Sequence, residues 1–473
     1  MSNLFVPGNP RYQPKDLIPY FGYDNTARFL VEVELATMDV LGELGMIPAT
    51  DYALLTPEVR AAVLGITMTE VDKVERTVTK HDIRALVMLM QERMPAPLRR
   101  WVHVPLTSYD VIDTARARMF REAHTHVVLP KAKKLIELLA RQVQRYAGVG
   151  QVGRTHGQHA LPITVGFWLA TILARVLENT QELDMRAQLL CGKIAGPVGA
   201  YNAQVGLDLF DINGKKFEEL VLGKLGLKPG PISTQLVMPE RMTRYLFEAS
   251  LLSAALGQFG CDGRHLMRSE IGEISEPFSL TQVGSSTMAH KRNPITFENL
   301  QGMWEGIKAE FGKVFSTLVS EHQRDLTGSS LMRDFPTIIV KLVYQLDNLL
   351  RESEGKAFIE RIAPDEAACA RNLAMQGDHL LAEPMYLALQ KAGYPHDAHH
   401  LVNHGVVEWS KKHGTSLVFA LMHHVQIDPV LAQAWEQVPE KTKQLLNKPQ
   451  EYIGMALSRA LAIASIAEDY LDS

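Results

Sequence analysis

The sequence predicts an all-α protein built around a bundle of long helices. Three observations predict it. Apolar residues recur at three- and four-residue steps over stretches of about 25 residues, the spacing that gathers them on one helix face. Almost no segment alternates apolar and polar residues as a half-buried strand does. The breaks between periodic stretches are short polar segments marked by Gly and Pro, which fold long helices back on one another. The apolar faces are too broad for one bundle to cover, so the chain is expected to associate with copies of itself.

The elements follow in order. The first residues, to about Tyr20, are proline-rich and aperiodic. Helical patterning starts near Asn25, with Phe29, Leu30, Val33, Leu35, Met38, Leu41 and Leu44 in step, and Gly45 marks its stop. A helix is expected over about Pro57–Leu64 and another over about Met68–Met94, carrying Lys80-His81-Asp82. Pro95 and Pro97 close this first part. Thr107-Ser108-Tyr109-Asp110 precedes a helix running to about Ala147, with Ser108 or Asp110 as its N-cap and Pro130 as a kink. Gly153–His159 reads as a polar turn, with Pro162 opening a long helix to about Leu190. Gly196–Asn202 reads as a tight loop. Helices follow at about Lys215–Leu225, Glu240–Ile271, Thr296–Glu321 and Phe335–Arg351. From about Glu354 the pattern shortens, broken at Pro364, Pro384, Pro395 and Pro429. Three helical domains are expected: 1–106, 107–353 and 354–473.

Bulk properties exclude several classes. The 473 residues are 46% hydrophobic, enough for a large core. A net charge of −4, from 49 basic and 53 acidic side chains, gives no reason to expect nucleic acid or an acidic membrane surface as partner. Cys191, Cys261 and Cys369 form neither a disulfide framework nor a zinc set, which fits a reducing, cytoplasmic setting. The N-terminus has no basic region followed by an apolar run, so no signal peptide is expected. No window approaches the ~20 apolar residues of a membrane span. No metal and no cofactor is expected, because metal-ligand spacing, a P-loop and a GxGxxG after a strand are all missing.

What remains is a set of polar loops whose chemistry suits a small polyanion and a proton transfer. The most distinctive is Gly284-Ser285-Ser286-Thr287-Met288-Ala289-His290-Lys291-Arg292-Asn293-Pro294, which brings hydroxyls and positive charge to an anion on a loop freed by its glycine. Arg324 and Arg333 can fork onto carboxylate or phosphate, and Lys291 is a point cation. Thr107, Ser108, Thr155, Gln235 and Asn293 can hydrogen-bond carboxylate oxygens. His156 suits a general acid or base, with an ordinary pKa near 6.5. Arg11-Tyr12, judged on spacing alone, is a surface arginine beside a packing tyrosine.

The Gly284 loop closely resembles the GSSxMPxKxNP loop of the fumarase/aspartase superfamily. Thr107-Ser108, Arg154-Thr155-His156-Gly157-Gln158, Ser233-Thr234-Gln235 and Gln323-Arg324-Asp325-Leu326 follow that superfamily's order along most of the chain. Within it the chain is most similar to the adenylosuccinate lyase family, through Lys80-His81-Asp82, Gly199-Ala200-Tyr201-Asn202 and the spacing of Arg324, Ser329 and Arg333. The resemblance implies β-elimination of fumarate from succinylated purine-pathway nucleotides, with Ser285 as base, His156 as acid oriented by Glu298, and Lys291 stabilising charge. It implies that Lys80, His81 and Asp82 contact substrate, and that Arg11, Tyr12, Ser329 and Arg333 hold the nucleotide. It also implies a homotetramer whose core joins five long helices per subunit, each site drawing loops from three chains. Two departures stand out. Ala289 replaces the usual proline, which loosens the loop, and 354–473 matches only weakly, at Leu381-Ala382-Glu383-Pro384 and Tyr452-Ile453-Gly454. The alternatives are a carboxymuconate cycloisomerase, which has no nucleotide to hold, and an inactive structural homologue, against which intact His156, Ser285 and Lys291 argue.

Overall fold

The computed structural model describes residues 6–212, 215–278, 287–288 and 290–472. It is all-α. Its principal helices are α1 (Thr26–Glu43), α2 (Pro57–Leu64), α3 (Met68–Val74), α4 (Asp82–Arg93), α5 (Ser108–Ala123), α6 (Leu129–Arg145), α7 (Val165–Gln188), α8 (Phe217–Lys224), α9 (Pro239–Leu266), α10 (Ile295–Ser316), α11 (Pro336–Leu350) and α12 (Ala456–Asp472). Among the described residues no helix is long and apolar enough to cross a membrane. Packing groups the chain into two compact units. One comprises Met1–Lys134, Val176–Gly257 and Asn299–Leu350; the other comprises Leu135–Arg175, Gln258–Glu298 and Arg351–Ser473.

In the first unit α1 buries Phe29, Val33, Met38 and Leu41 against α5 and α8, each large side chain contributing about 1.5–3 kcal/mol by leaving water. Five helices converge beside it. Phe120 of α5 meets Tyr245 of α9 edge-on at 6.0 Å. His124 Nε2 lies 3.1 Å from Asp184 of α7. Gln345 of α11 accepts from Ser253 of α9 at 2.7 Å and donates to the Leu300 carbonyl of α10 at 2.7 Å. Close approach needs glycine at 257, where a Cβ would come within 2.8 Å of Trp304.

The second unit packs Trp168 of α7 on Phe259 of α9 at 5.7 Å, and the Trp168 indole donates to Asp262 at 2.9 Å. Phe259, Phe297 and Phe358 continue edge-on. A separate cluster, including Leu381, Met385, Leu389, Val402, Leu417, Leu421 and Leu431, forms the core of its C-terminal helices.

Four local expectations differ from the structure. The helix expected over Met68–Met94 is broken: a π turn at Glu75–Thr79 ends in Lys80, whose φ of 55° is left-handed, and extended His81 caps α4 by accepting the Arg84 N–H at 3.4 Å. Thr107, rather than Ser108 or Asp110, is the N-cap of α5; Asp110 sits one turn in and accepts the Thr107 N–H at 2.9 Å. Pro130 falls at the second residue of α6, directly behind a π turn at His124–Val128 that interrupts the α-helical run. The polar turn after Gly153 is a β-hairpin, β1 (Gly150–Thr155) against β2 (Gln158–Thr164), with Pro162 inside β2 opposite Val152. The other ladders among the described residues have two residues per strand. In the C-terminal part Pro384 and Pro429 lie in the first turns of helices, where a proline loses no hydrogen bond.

Candidate active site

A cavity of about 1300 Å³ opens within the first unit. Four separated stretches that the sequence singled out contribute to its polar lining, beside the acidic Asp72, Glu75, Asp325 and Asp334. The α3–α4 break presents Lys80, His81 and Asp82; the start of α5 presents Thr107 and Ser108; and Gln235 with the 323–333 segment presents Arg324, Ser329 and Arg333. These nine sequence-predicted residues therefore share one cavity. Arg11 and Tyr12 do not line it. Arg11 is exposed in a short 3-10 turn, and the Tyr12 ring rests edge-on against Tyr344 at 5.0 Å.

Local folding explains each placement. His81 reaches the cavity because Lys80 takes the left-handed conformation. Its Nδ1 lies 3.4 Å from the Arg84 nitrogen and 3.3 Å from the Asp82 carboxylate, and its Nε2 lies 3.5 Å from Ser108 Oγ. Arg333 stands 3.5 Å from Asp82. Arg324 donates to Gln235 Oε1 at 2.8 Å, and its guanidinium carbon lies 3.5 Å from the centroid of the Tyr109 ring. Tyr109 Oη and Ser329 Oγ share a hydrogen bond of 3.2 Å.

Beneath this lining is a buried ion pair. Lys193 Nζ donates to Asp110, each side chain 1% exposed, and the same carboxylate accepts the Ala195 and Gly196 N–H groups at 3.0 and 3.2 Å. Asp113 accepts the Val237 N–H at 3.0 Å, and burial pushes its carboxyl up in spite of Arg116. The 196–202 loop is clamped by Glu218, which accepts the Ile194 N–H at 2.8 Å and the Tyr201 hydroxyl at 2.7 Å. Gly199 has φ +73°, and a Cβ there would lie 2.0 Å from the Ser233 carbonyl oxygen.

Thr155 and His156 belong to the second unit. His156 and Gly157, with φ of 53° and 75°, form the two-residue turn between β1 and β2, and both Thr155 and His156 are exposed. A left-handed histidine costs energy that surrounding structure must offset. That support is visible two residues earlier. The Arg154 guanidinium forks onto Glu273 at 2.6 and 3.0 Å; Glu273, 0% exposed, also accepts from Gln151 at 2.8 Å and Asn372 at 2.9 Å. Burial and the charge of Arg154 hold the neighbouring His159 below its ordinary pKa.

Lys291, Asn293 and Glu298 also lie in the second unit. Lys291 is exposed and its N–H donates to the Met288 carbonyl at 3.0 Å; Glu298 is exposed in the first turn of α10. Gly284, Ser285, Ser286 and Ala289 lie outside the described residues.

Sequence reasoning missed Tyr109, although it stands between two residues of a quoted motif. It also missed Tyr23, which lines the cavity, donates to Asp72 at 2.8 Å and has its hydroxyl pushed up to about 12 by burial and by Asp72. Neither has a spacing signal, since an aromatic at helical period reads as core.

The chain matches the family model described as Lyase over residues 66–307. It is 31% identical to adenylosuccinate lyase of Archaeoglobus fulgidus over 450 residues, 95% of each chain. It is 30% identical to N-acetyl-S-(2-succino)cysteine lyase of Dickeya dadantii over 428 residues, covering 90% and 88% of the two chains. Its fold is that of 3-carboxy-cis,cis-muconate lactonizing enzyme from Pseudomonas putida, with a TM-score of 0.80 over 100% of both chains at 22% identity.

Proposed function

This chain belongs to the lyase family of the fumarase/aspartase superfamily, and on that premise we propose that it is a fumarate-releasing C–N lyase of purine nucleotide synthesis. It cleaves adenylosuccinate to AMP and fumarate, and the succinylated imidazole-carboxamide ribotide to its carboxamide and fumarate. The observation that carries this reading is 31% identity to an adenylosuccinate lyase over 95% of both chains. The cavity supports it, because among a lining of mixed charge it offers the Arg324 and Arg333 forks, Lys80 and the Thr107, Ser108 and Ser329 hydroxyls, donors suited to carboxylate and phosphate together.

A base removes the proton from the succinyl carbon next to a carboxylate, the charge spreads onto that carboxylate as a dianion, and an acid protonates the leaving nitrogen. We assign Ser285 as base and His156 as acid. Lys291, Asn293, Thr107, Ser108 and Thr155 stabilise the dianion, which is where preorganised donors contribute most. Glu298 orients His156, and Lys80, His81 and Asp82 meet substrate directly. Gln235 and Arg324 bind carboxylate, Ser329 and Arg333 hold the nucleotide end, and Arg11 and Tyr12, which lie off this cavity in their own chain, join them from another copy. The working form is a cytoplasmic homotetramer whose sites take loops from three copies. Exposed Phe247 and Phe315 on long helices support such association. The 354–473 segment forms the C-terminal helical domain, after 1–106 and 107–353.

The relative from Dickeya dadantii favours one second reading, C–S cleavage of a succinyl thioether by the same proton removal. Fumarate release from adenylosuccinate, the imidazole ribotide and N-acetyl-S-(2-succino)cysteine separates the two. Turnover of the purine substrates is expected, with Ser285→Ala and His156→Ala each reduced by about a thousandfold. Turnover of the thioether alone would overturn the purine assignment.

A further inference from the structure

We propose that Tyr109 is a positioning residue of the cavity, fixing the Arg324 guanidinium and the Ser329 hydroxyl in the orientation that receives substrate. The inference rests on the proposed function for its substrate and on geometry for its mechanism. Tyr109 is 4% exposed in the first turn of α5, and the residues around it are pinned: Thr107 caps the helix and Asp110 is held by Lys193, Ala195 and Gly196. Its ring is therefore a rigid floor. The Arg324 guanidinium carbon sits 3.5 Å from the ring centroid, well inside cation–π range. Gln235 accepts one of its hydrogens at 2.8 Å. A guanidinium carries five N–H donors in one plane, so a ring against one face and one bond at the edge orient the fork without using up its other donors. The Tyr109 hydroxyl meets Ser329 Oγ at 3.2 Å. One buried side chain thus sets two binding groups of the 323–333 segment through two separate contacts.

A fork held in place binds substrate and transition state alike, so its loss falls on KM. Tyr109→Leu is expected to raise KM for adenylosuccinate by about tenfold or more, with kcat down by no more than about threefold. Tyr109→Phe keeps the ring and is expected to recover most of that loss. With Tyr109 already Leu, Arg324→Met should cost several-fold less in kcat/KM than it does in the wild type. A fall in kcat with KM unchanged, or full additivity of the two substitutions, would overturn the proposal. A second cycle, in guanidinium unfolding, reads the contact without substrate; coupling of about fivefold in the unfolding equilibrium is expected, and none would overturn it. A wild type inactive on both purine substrates would sink the proposed function, while the unfolding cycle still decides the contact.

Discussion

Replacing Glu273 by glutamine tests how the His156 turn is held. The wild-type carboxylate is 0% exposed and receives four hydrogen bonds, two from Arg154, one from Gln151 and one from Asn372. Glutamine has nearly the same shape, but it turns one acceptor into a donor facing other donors. It also strips the Arg154 guanidinium, only 14% exposed, of its counter-ion. Removing one partner of a buried pair costs about 3–5 kcal/mol. Arg154 keeps a little solvent and a 3.3 Å bond to the Val152 carbonyl, so the lower end applies. About 3 kcal/mol is roughly a 150-fold change in the unfolding equilibrium, or a guanidinium midpoint lowered by on the order of 1 M. Circular dichroism at fixed protein concentration reads it, and fumarate release reads the turn, where about a tenfold loss in kcat is expected from misplaced His156. Arg154→Met leaves the more deeply buried charge unpaired and should cost more. A midpoint unmoved in Glu273→Gln, with kcat intact, would refute the idea that this carboxylate holds the hairpin.

Three further outcomes are expected. Lys193→Met leaves the Asp110 carboxylate buried with backbone donors only, and should destabilise by about 3 kcal/mol in the same denaturation assay. Gly199→Ala forces a Cβ onto the Ser233 carbonyl at a left-handed position; the shift passes to Gln235, and KM should rise about tenfold. Burial opposes charge on His103, but its hydrogen bond to Glu34 and that carboxylate's charge outweigh it and raise the pKa. A raised folded pKa stabilises below the unfolded value, near 6.5, and the gain is lost as pH climbs through the folded value. His103→Gln should therefore cost most stability near pH 6 and progressively less towards pH 9, as unfolding at each pH would record.

The helices were legible because the apolar period is written into each one, and the run from Asn25 to Gly45 needed nothing else. The break at Lys80 was not legible, since its cause is a left-handed backbone and a histidine cap rather than a glycine or proline. The β1–β2 hairpin was hidden because its pairs are short, bulged between Val152 and Arg154, and stabilised by Glu273 from more than a hundred residues away. Nine cavity residues were legible as motif members. Tyr109 and Asp110 were not legible as supports, because what they hold comes from distant sequence: Arg324 and Ser329 for one, Lys193 for the other. Ser285 falls outside the described residues, so its role stands on the motif alone.

Each compact unit is assembled from three stretches that alternate along the chain. During synthesis, therefore, neither can close as it leaves the ribosome. The first waits for residue 350, and by then the second's first two stretches have been made in full without the 351–473 segment that completes it. Nascent chains must carry unfinished apolar faces for several hundred residues, the condition under which chaperones act and premature association begins. It also forbids the usual dissection: no single cut yields either unit as a continuous fragment, and a chain truncated near residue 350 loses the last and longest of the second unit's three stretches, more than half of that unit's residues. The first unit can close once residue 350 has been made, and the second only when its last stretch follows.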